Sequence, residues 1–443
     1  MSSDRRIPTV TASGGAPWEP HLLTRLHGRP ELQVVRRCVD LVDLMATAAT
    51  GIARAALVGA GLHRLDRDAV ARLTSSGVAV VGVAADADQA GSRRLLALGV
   101  MTVVAADASG DAVAAAVAAA VAALNPVRHP DAAVPVVNPT DDGPYDPDAP
   151  TPGAPTPVAG RLVAIWGPTG GPGRTTVAVN LAAELASAGL DVVLADADTY
   201  GASIAQSLGL LDEAPGLAAA VRSAAQGGLD PAGLARHARE VSPRLRVLTG
   251  IPRADRWPEL RPAALRNVWD VSRQLAGVVV VDCGFSLEQQ EEIAFDVAAP
   301  RRNAATLVTL EQADLVIAVG AADPIGLQRL VRGLGELNEA VPAAEVRVVV
   351  NRVRRSVTGT ESGRAPIRVL RRHAGVEDAF LVPDNVAAVD AALMAGRPLL
   401  EVMQRAPARL AIRELAEQVA AAARPAPPVT PRARHRARVA AQR

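Results

Sequence analysis

The sequence contains no lysine: all 47 basic residues are arginine, set against 46 acids for a formal charge of +1. A balance so close to zero exerts no global pull on polyanions, so any site for nucleic acid or anionic lipid has to be a local cluster. Aromatic residues make up only 2%, too few for the stacking platforms that hold single-stranded nucleic acid. The two cysteines, Cys38 and Cys283, are far apart and each lies in or beside an apolar run. Their spacing excludes a cysteine metal cluster, and both read as buried thiols. The seven histidines are scattered, with no HExxH pair, and no GxSxG elbow occurs, which sets zinc and serine hydrolases aside. No apolar run approaches the roughly 18 to 20 residues of a membrane span, and MSSDRRIPTV carries no apolar signal core. The expectation is a cytoplasmic protein with no transmembrane span. Together with plentiful Ala, Arg, Val and Pro, the missing lysine reads as the coding bias of a GC-rich genome.

What is present is apolar material for packed cores, 49% of 443 residues, enough for two or three domains. Residues 125–160, including DDGPYDPDAPTPGAPTP, cannot build a core and read as an extended linker. Before it, in residues 1–124, the short runs ELQVV, ARAALVG, VAVVGVAA and VMTVVAA alternate with helix-like segments such as 111–124. That rhythm predicts a small parallel sheet flanked by helices. In residues 161–423, RLVAIW, DVVLADAD, RLRVLTG, GVVVVDCG, ADLVIAVG and EVRVVVN read as strands, mostly separated by helices. The fold class is therefore α/β: a doubly wound, mostly parallel sheet with its ligand crevice at the strands' carboxyl ends, preceded by a small flavodoxin-like α/β domain. Residues 424–443 carry six arginines and no acid. Such a tail reads as solvated, or as a weak contact to anionic lipid or DNA phosphate.

The densest chemical signal is GPTGGPGRTT at residues 167–176, between the strand RLVAIW and a helical pattern ending at Gly189. It has the outline of a phosphate-binding loop, in which glycines let backbone amides converge on phosphate, a lysine reaches the β and γ phosphates, and a hydroxyl holds magnesium. Here Arg174 stands in the lysine position and Thr175 in the hydroxyl position. Gly170, Gly171, Gly173, Arg174, Thr175 and Thr176 are thus placed to enclose a diphosphate at a helix N-terminus. Arginine keeps the charge, but its planar fork is bulkier than an ammonium and suits bidentate contact. Pro172 removes one amide donor and stiffens the turn. Asp196 and Asp198 end the next strand, where a carboxylate reaches magnesium or orients water; the alternative is that one only caps the following turn. Asp282 ends the four-valine strand, a usual place for a carboxylate that holds magnesium through water.

Across residues 161–422 these motifs resemble the MinD/ParA family of deviant Walker ATPases, whose loop reads KGGxGK[ST]T where this chain has TGGPGRTT. The resemblance implies ATP or ADP with Mg2+ as ligands, Asp198 in the water-positioning role and Asp282 as the Walker B carboxylate. Thr175, Asp198 and Asp282 become metal-site candidates, and Arg174 and Asp198 catalytic candidates. It also implies that Asn351 and Arg352 contact adenine, and that the backbone of Pro383 and Asp384 lies near the base. Thr169 takes the place of the lysine that reaches across a dimer in that family, so two family lysines are missing. The strand spacing of residues 5–124 resembles a receiver domain without its chemistry: TASGG at 11–15, GAG at 59–61 and AADA at 105–108 stand where acids, a phospho-accepting aspartate and a lysine belong. A degenerate receiver joined to a deviant ATPase looks like the CpaE/TadZ proteins of pilus localisation and their actinobacterial septum-site-determining relatives.

Three functions are compatible with these residues. One is a nucleotide-binding, dimer-forming positioning protein with slow or absent hydrolysis, recruiting a pilus, secretion or division apparatus at the inner face of the membrane. Another is a DNA-segregating ATPase, for which Arg352, Arg354, Arg355, Arg364, Arg368, Arg371 and Arg372 supply a basic cluster. The last is a scaffold that keeps the fold and has lost the nucleotide.

Overall fold

The computed structural model describes residues 6–85, 88–124, 160–210, 215–289, 301–358 and 364–423. Most of the linker expected at 125–160 and the arginine-rich tail at 424–443 lie outside the described residues. Two sheets organise the rest. The first is five-stranded and fully parallel: β1 (Ile7–Ala12), β2 (Leu32–Arg37), β3 (Ala55–Gly59), β4 (Ala79–Ala84) and β5 (Thr102–Ala105), in the order β2-β1-β3-β4-β5. This is the flavodoxin-like order. Helices Glu19–Leu26 and Gly110–Leu124 cover one face through Leu22, Leu26, Val113 and Val117. Helices Leu41–Ala49, Arg67–Ser75 and Gln89–Ala97 cover the other through Leu44, Leu73 and Leu95.

The carboxyl ends of β1 and β3 lead into Ser13-Gly14-Gly15 and Gly59-Ala60-Gly61, with no acid at either. A carboxylate comes instead from Glu19, on the first helix. It is 5% exposed and accepts hydrogen bonds from Thr11 Oγ1 at 2.7 Å, Ser13 Oγ at 2.8 Å and Arg37 at 2.9 Å. These three bonds tie Glu19 to residues of β1, β2 and the segment after β1, so the cluster holds β1, β2 and the first helix together.

The second sheet contains β6 (Arg161–Trp166), β7 (Val192–Ala197), β8 (Arg239–Ser242), β9 (Leu245–Leu248), β10 (Val278–Cys283), β11 (Leu315–Ala321), β12 (Val346–Val353) and β13 (Phe380–Pro383). Their order is β13-β12-β11-β6-β10-β7-β9-β8, and β8 alone runs antiparallel to its neighbour. Alternate residues of one strand enter opposite cores: Leu162, Ala164 and Trp166 one, Val163 and Ile165 the other. Burial on both faces explains why β6 and β10 read as continuous apolar runs rather than alternating ones. Helices Gly216–Ala225, Pro262–Leu275, Ala304–Gln312 and Pro324–Ala340 pack on the first face, and Arg174–Ser187 and Pro407–Ala423 on the second. Among the described residues no helix is long and apolar enough to cross a membrane.

The helix Arg67–Ser75 of the first sheet meets Pro262–Leu275 of the second: Asp66 pairs with Arg261, and the Ala263 amide donates to Asp68 Oδ1 at 3.1 Å. The chain crosses over at β6, which has β10 on one side and β11 on the other. In an open α/β sheet that switch point is where a crevice forms beyond the strands' carboxyl ends, and the glycine loop leaves β6 there.

Candidate phosphate-binding site

The loop runs from the end of β6 into the helix Arg174–Ser187, whose N-cap is Gly173. Gly170 and Gly173 have φ of +106° and +98°, a region that L side chains avoid. Space is equally restrictive: a Cβ on Gly170 would collide with the Arg329 guanidinium, and one on Gly173 with the Asn351 amide. Glycine is therefore required twice over at these positions, by backbone and by neighbours. Gly171, at φ +63°, faces open space.

Arg174 does not project outward. Its Nη1 donates to the carbonyls of Gly167 at 3.1 Å and Pro168 at 3.2 Å, and its Nη2 lies 3.4 Å from Asp198 Oδ2. The pair is largely buried, with 13% and 8% of the side chains exposed. The guanidinium thus braces the loop from below and ties it to the end of β7.

Thr175 Oγ1 donates to Asp282 Oδ2 at 2.6 Å and receives a 3.2 Å contact from Ser203 Oγ. Asp282 and Asp196 are register partners on adjacent strands. Burial raises the Asp282 carboxyl well above the ordinary range and the charge of Asp196 adds to this, while the Thr175 hydrogen bond and Arg174 oppose it. Asp282 Oδ1 is buried and has no hydrogen-bond partner among the described residues. A buried oxygen without a donor carries an uncompensated desolvation cost, and a hard cation beside Thr175 would relieve it.

The two carboxylates ending β7 divide their tasks. Asp196 Oδ2 accepts from the amides of Ser203 at 2.9 Å and Ile204 at 3.0 Å, and its Oδ1 from Asp198 N at 3.2 Å. It therefore shapes the turn after β7. Burial pushes its pKa up to about 6, helped by the charge of Asp198 and opposed by those backbone bonds. Asp198 Oδ1 accepts from Tyr200 N at 2.8 Å and Gly201 N at 3.2 Å, leaving Oδ2 to Arg174. Scarce aromatics collect here: the Tyr200 and Phe285 rings lie 4.7 Å apart, and Arg302 stacks 3.9 Å over Tyr200.

Asn351, at the end of β12, joins the site in a way its position in sequence does not announce. Its Nδ2 donates to Pro172 O at 2.8 Å and its Oδ1 accepts from Arg352 N at 2.9 Å. Arg352 is exposed, with a left-handed φ of +58°. Pro383 pairs with Val353, and the Asp384 amide donates to Val353 O at 3.0 Å while its carboxylate meets Arg354 at 3.3 Å. Thr176 lines a crevice with Asn180, Val389 and Leu399. The structure thus brings Gly170, Gly173, Arg174, Thr175, Asp198, Asp282 and Asn351 to one place, with Arg352, Pro383 and Asp384 beside Asn351 at the carboxyl ends of β12 and β13. Ser203 and the loop-bracing use of Asn351 are absent from the sequence reading; a serine or asparagine beyond a strand end carries no local signal of either.

A strand, a glycine loop and a helix at a topological switch point, with strand-terminal aspartates on the neighbouring strands, define a P-loop NTPase fold of the MinD/ParA type. Consistent with this, residues 159–231 match the family model described as ParA, NUBPL iron-transfer P-loop NTPase. A ParA family ATPase from Chlorobium tepidum TLS superposes with a TM-score of 0.50 at 17% identity, covering 58% of this chain and 99% of that one. The cell division ATPase MinD of Pyrococcus furiosus gives 0.46 at 18% identity over 59% and 98%. The septum site-determining protein MinD of Pyrococcus horikoshii OT3, solved with Mg-ADP, gives 0.46 at 18% over 58% and 95%. No curated protein matches the sequence.

Proposed function

We propose that the chain binds a magnesium–nucleotide, ATP or ADP, at the loop 167–176 and acts as a slow or non-hydrolysing positioning protein of the MinD/ParA class. The observation that carries the reading is the Thr175–Asp282 hydrogen bond beside Asp282 Oδ1, which has no partner among the described residues, at the foot of a loop in which Gly170 and Gly173 have no room for a side chain. Thr175 and Asp282 would hold the metal, which would neutralise phosphate charge; Gly170, Gly171, Gly173 and Thr176 would supply backbone donors. Asp198, which the family resemblance makes the water-orienting candidate, has its Oδ2 engaged by Arg174.

Slow turnover follows from Arg174. Its guanidinium already binds two loop carbonyls and Asp198, so any contact with phosphate competes with three existing ones, and Asp198 is not free to direct water. In this reading the nucleotide orders a surface. The first-sheet domain, a degenerate receiver in which Glu19 fills the acidic pocket, docks partners, and the protein recruits a pilus, secretion or division apparatus as a homodimer, in the manner of CpaE/TadZ proteins.

Thermal unfolding with and without Mg-ATP tests this, because a ligand of the folded state raises its melting temperature by mass action. A shift in the native chain that is lost in Asp282→Asn, with little phosphate released, is the expected result. No shift at saturating ATP leaves a scaffold on an ATPase fold. A second reading, nucleotide-dependent DNA binding, draws on the helix Arg364–Ala374, where Arg364, Arg368, Arg371 and Arg372 are exposed. It requires salt-sensitive DNA affinity that appears only with nucleotide.

A further inference from the structure

The cation able to meet an anion on this loop is not the one the loop itself carries. Arg174 is enclosed and engaged with Gly167, Pro168 and Asp198. On the opposite side the helix Pro324–Ala340 starts at the Asp323 cap and presses against the loop. A Cβ on Gly333 would lie 3.0 Å from the Trp166 ring and 3.4 Å from Pro168 Cβ. One turn earlier on the same face, Arg329 reaches Gly170: a Cβ there would collide with Arg329 Nη1 and sit 3.3 Å from its Cζ. Among the described residues Arg329 forms no hydrogen bond or ion pair, and it is exposed.

Resting on the phosphate-site reading above, we propose that Arg329 is a nucleotide-binding residue, supplying from the helix Pro324–Ala340 the phosphate contact that Arg174 does not. Its guanidinium lies against the glycine whose missing side chain opens the loop, and its planar fork suits phosphate oxygens. Thr169, on the same rim, contributes no charge. Both residues border a cavity of about 580 Å³ with Ser286 and Phe285. Glu288, Glu336 and Glu339 also line it, and Glu336 pairs with Arg332 at 2.7 Å. With three carboxylates in its lining the cavity as a whole is no anion trap, which confines the contact to the loop rim where Arg329 meets Gly170.

Calorimetric titration of the full chain with Mg-ATP and Mg-ADP, in the native sequence, Arg329→Ala and Arg332→Ala, tests the assignment. A charge-assisted contact of this kind predicts about a tenfold loss of nucleotide affinity in Arg329→Ala and a shallower dependence on salt. Arg332→Ala, three residues along the helix and already ion-paired, is expected to bind as the native chain does. Ligand-free melting curves show whether each variant is folded, and Arg329→Lys, which retains the charge, should recover part of the loss. Native affinity in a folded Arg329→Ala overturns the proposal, as does an equal loss in both alanine variants, which would reflect only the field of the helix. Absence of binding by the native chain is a different outcome: it rejects the phosphate site itself.

Discussion

The hydroxyl of Thr175 and the carboxylate of Asp282 are joined by a 2.6 Å hydrogen bond spanning 107 residues of sequence. It locks the first turn of the loop helix to the end of β10, and among the described residues it is the one hydrogen bond to a carboxylate set beside Asp196 and Asp198, whose charges the Arg174 guanidinium opposes. The site therefore gathers three carboxylates around the largely buried Arg174 guanidinium, and burial disfavours the ionised forms of Asp196 and Asp282.

A pH dependence follows. Asp196 and Asp282 both have carboxyl pKa values raised in the fold, Asp196 from 3.8 to about 6. Between the unfolded and folded values the native state binds more protons than the unfolded chain, so stability falls as pH rises through that window. Denaturant titrations of the ligand-free chain from roughly pH 4 to 7 should show this slope, and Asp282→Asn should flatten it. A stability that instead rises with pH in Asp282→Asn and native chain alike contradicts the raised values.

The first sheet carries the opposite sign. Burial raises the Glu19 carboxyl, but hydrogen bonds from Arg37, Thr11 and Ser13 and the charge of Arg37 outweigh it and leave the pKa below the ordinary 4.5. The stability Glu19 contributes is complete above 4.5 and disappears as pH falls through the lower folded value. Hydrogen-exchange protection in β1 should therefore weaken on acidification, and Glu19→Gln should be weaker already at neutral pH, with less further loss in acid.

A buried ion pair fixes the helix Pro407–Ala423 to the loop helix: Arg409 grips Glu184 at 2.5 and 3.0 Å, with 12% and 4% of the side chains exposed. Removing one partner strands the other. Arg409→Ala is expected to cost about 3 to 5 kcal/mol, whereas the apolar double change Arg409→Met with Glu184→Leu should recover most of it. Urea midpoints of the two variants decide this; equal midpoints would mean the pair acts as a surface bridge.

The parts of this architecture legible in sequence are those set by a continuous local pattern. The five-residue apolar run at 162–166, the three glycines and the helical periodicity after them declare one another, and the four valines before Asp282 mark a doubly buried strand. The edges were not legible. β8 is REVS, two exposed residues followed by two half-buried ones, and β13 is FLVP, ending in a residue that cannot continue a ladder. Neither carries the alternation or length that separates strand from loop. Asp196 and Asp198 look alike in DVVLADAD, and only the fold of the following turn gives Asp196 its backbone donors. Asn351 and Arg329 are harder still: they act on Pro172 and Gly170 from elements far along the chain, and no spacing rule connects an asparagine or helix arginine to a glycine loop so distant.

The two cysteines have a practical consequence. Cys38 lies behind the first sheet, 5% exposed, and Cys283 ends β10 with no exposure; burial raises both thiol pKa values, most strongly for Cys283. An alkylating reagent meets either sulfur only when the surrounding sheet opens, and the two sulfurs fall in different peptides. The native chain thus holds one chemical clock in each sheet, read by mass spectrometry from a single tube, and the ratio of the two labelling rates reports whether the sheets open together or one at a time.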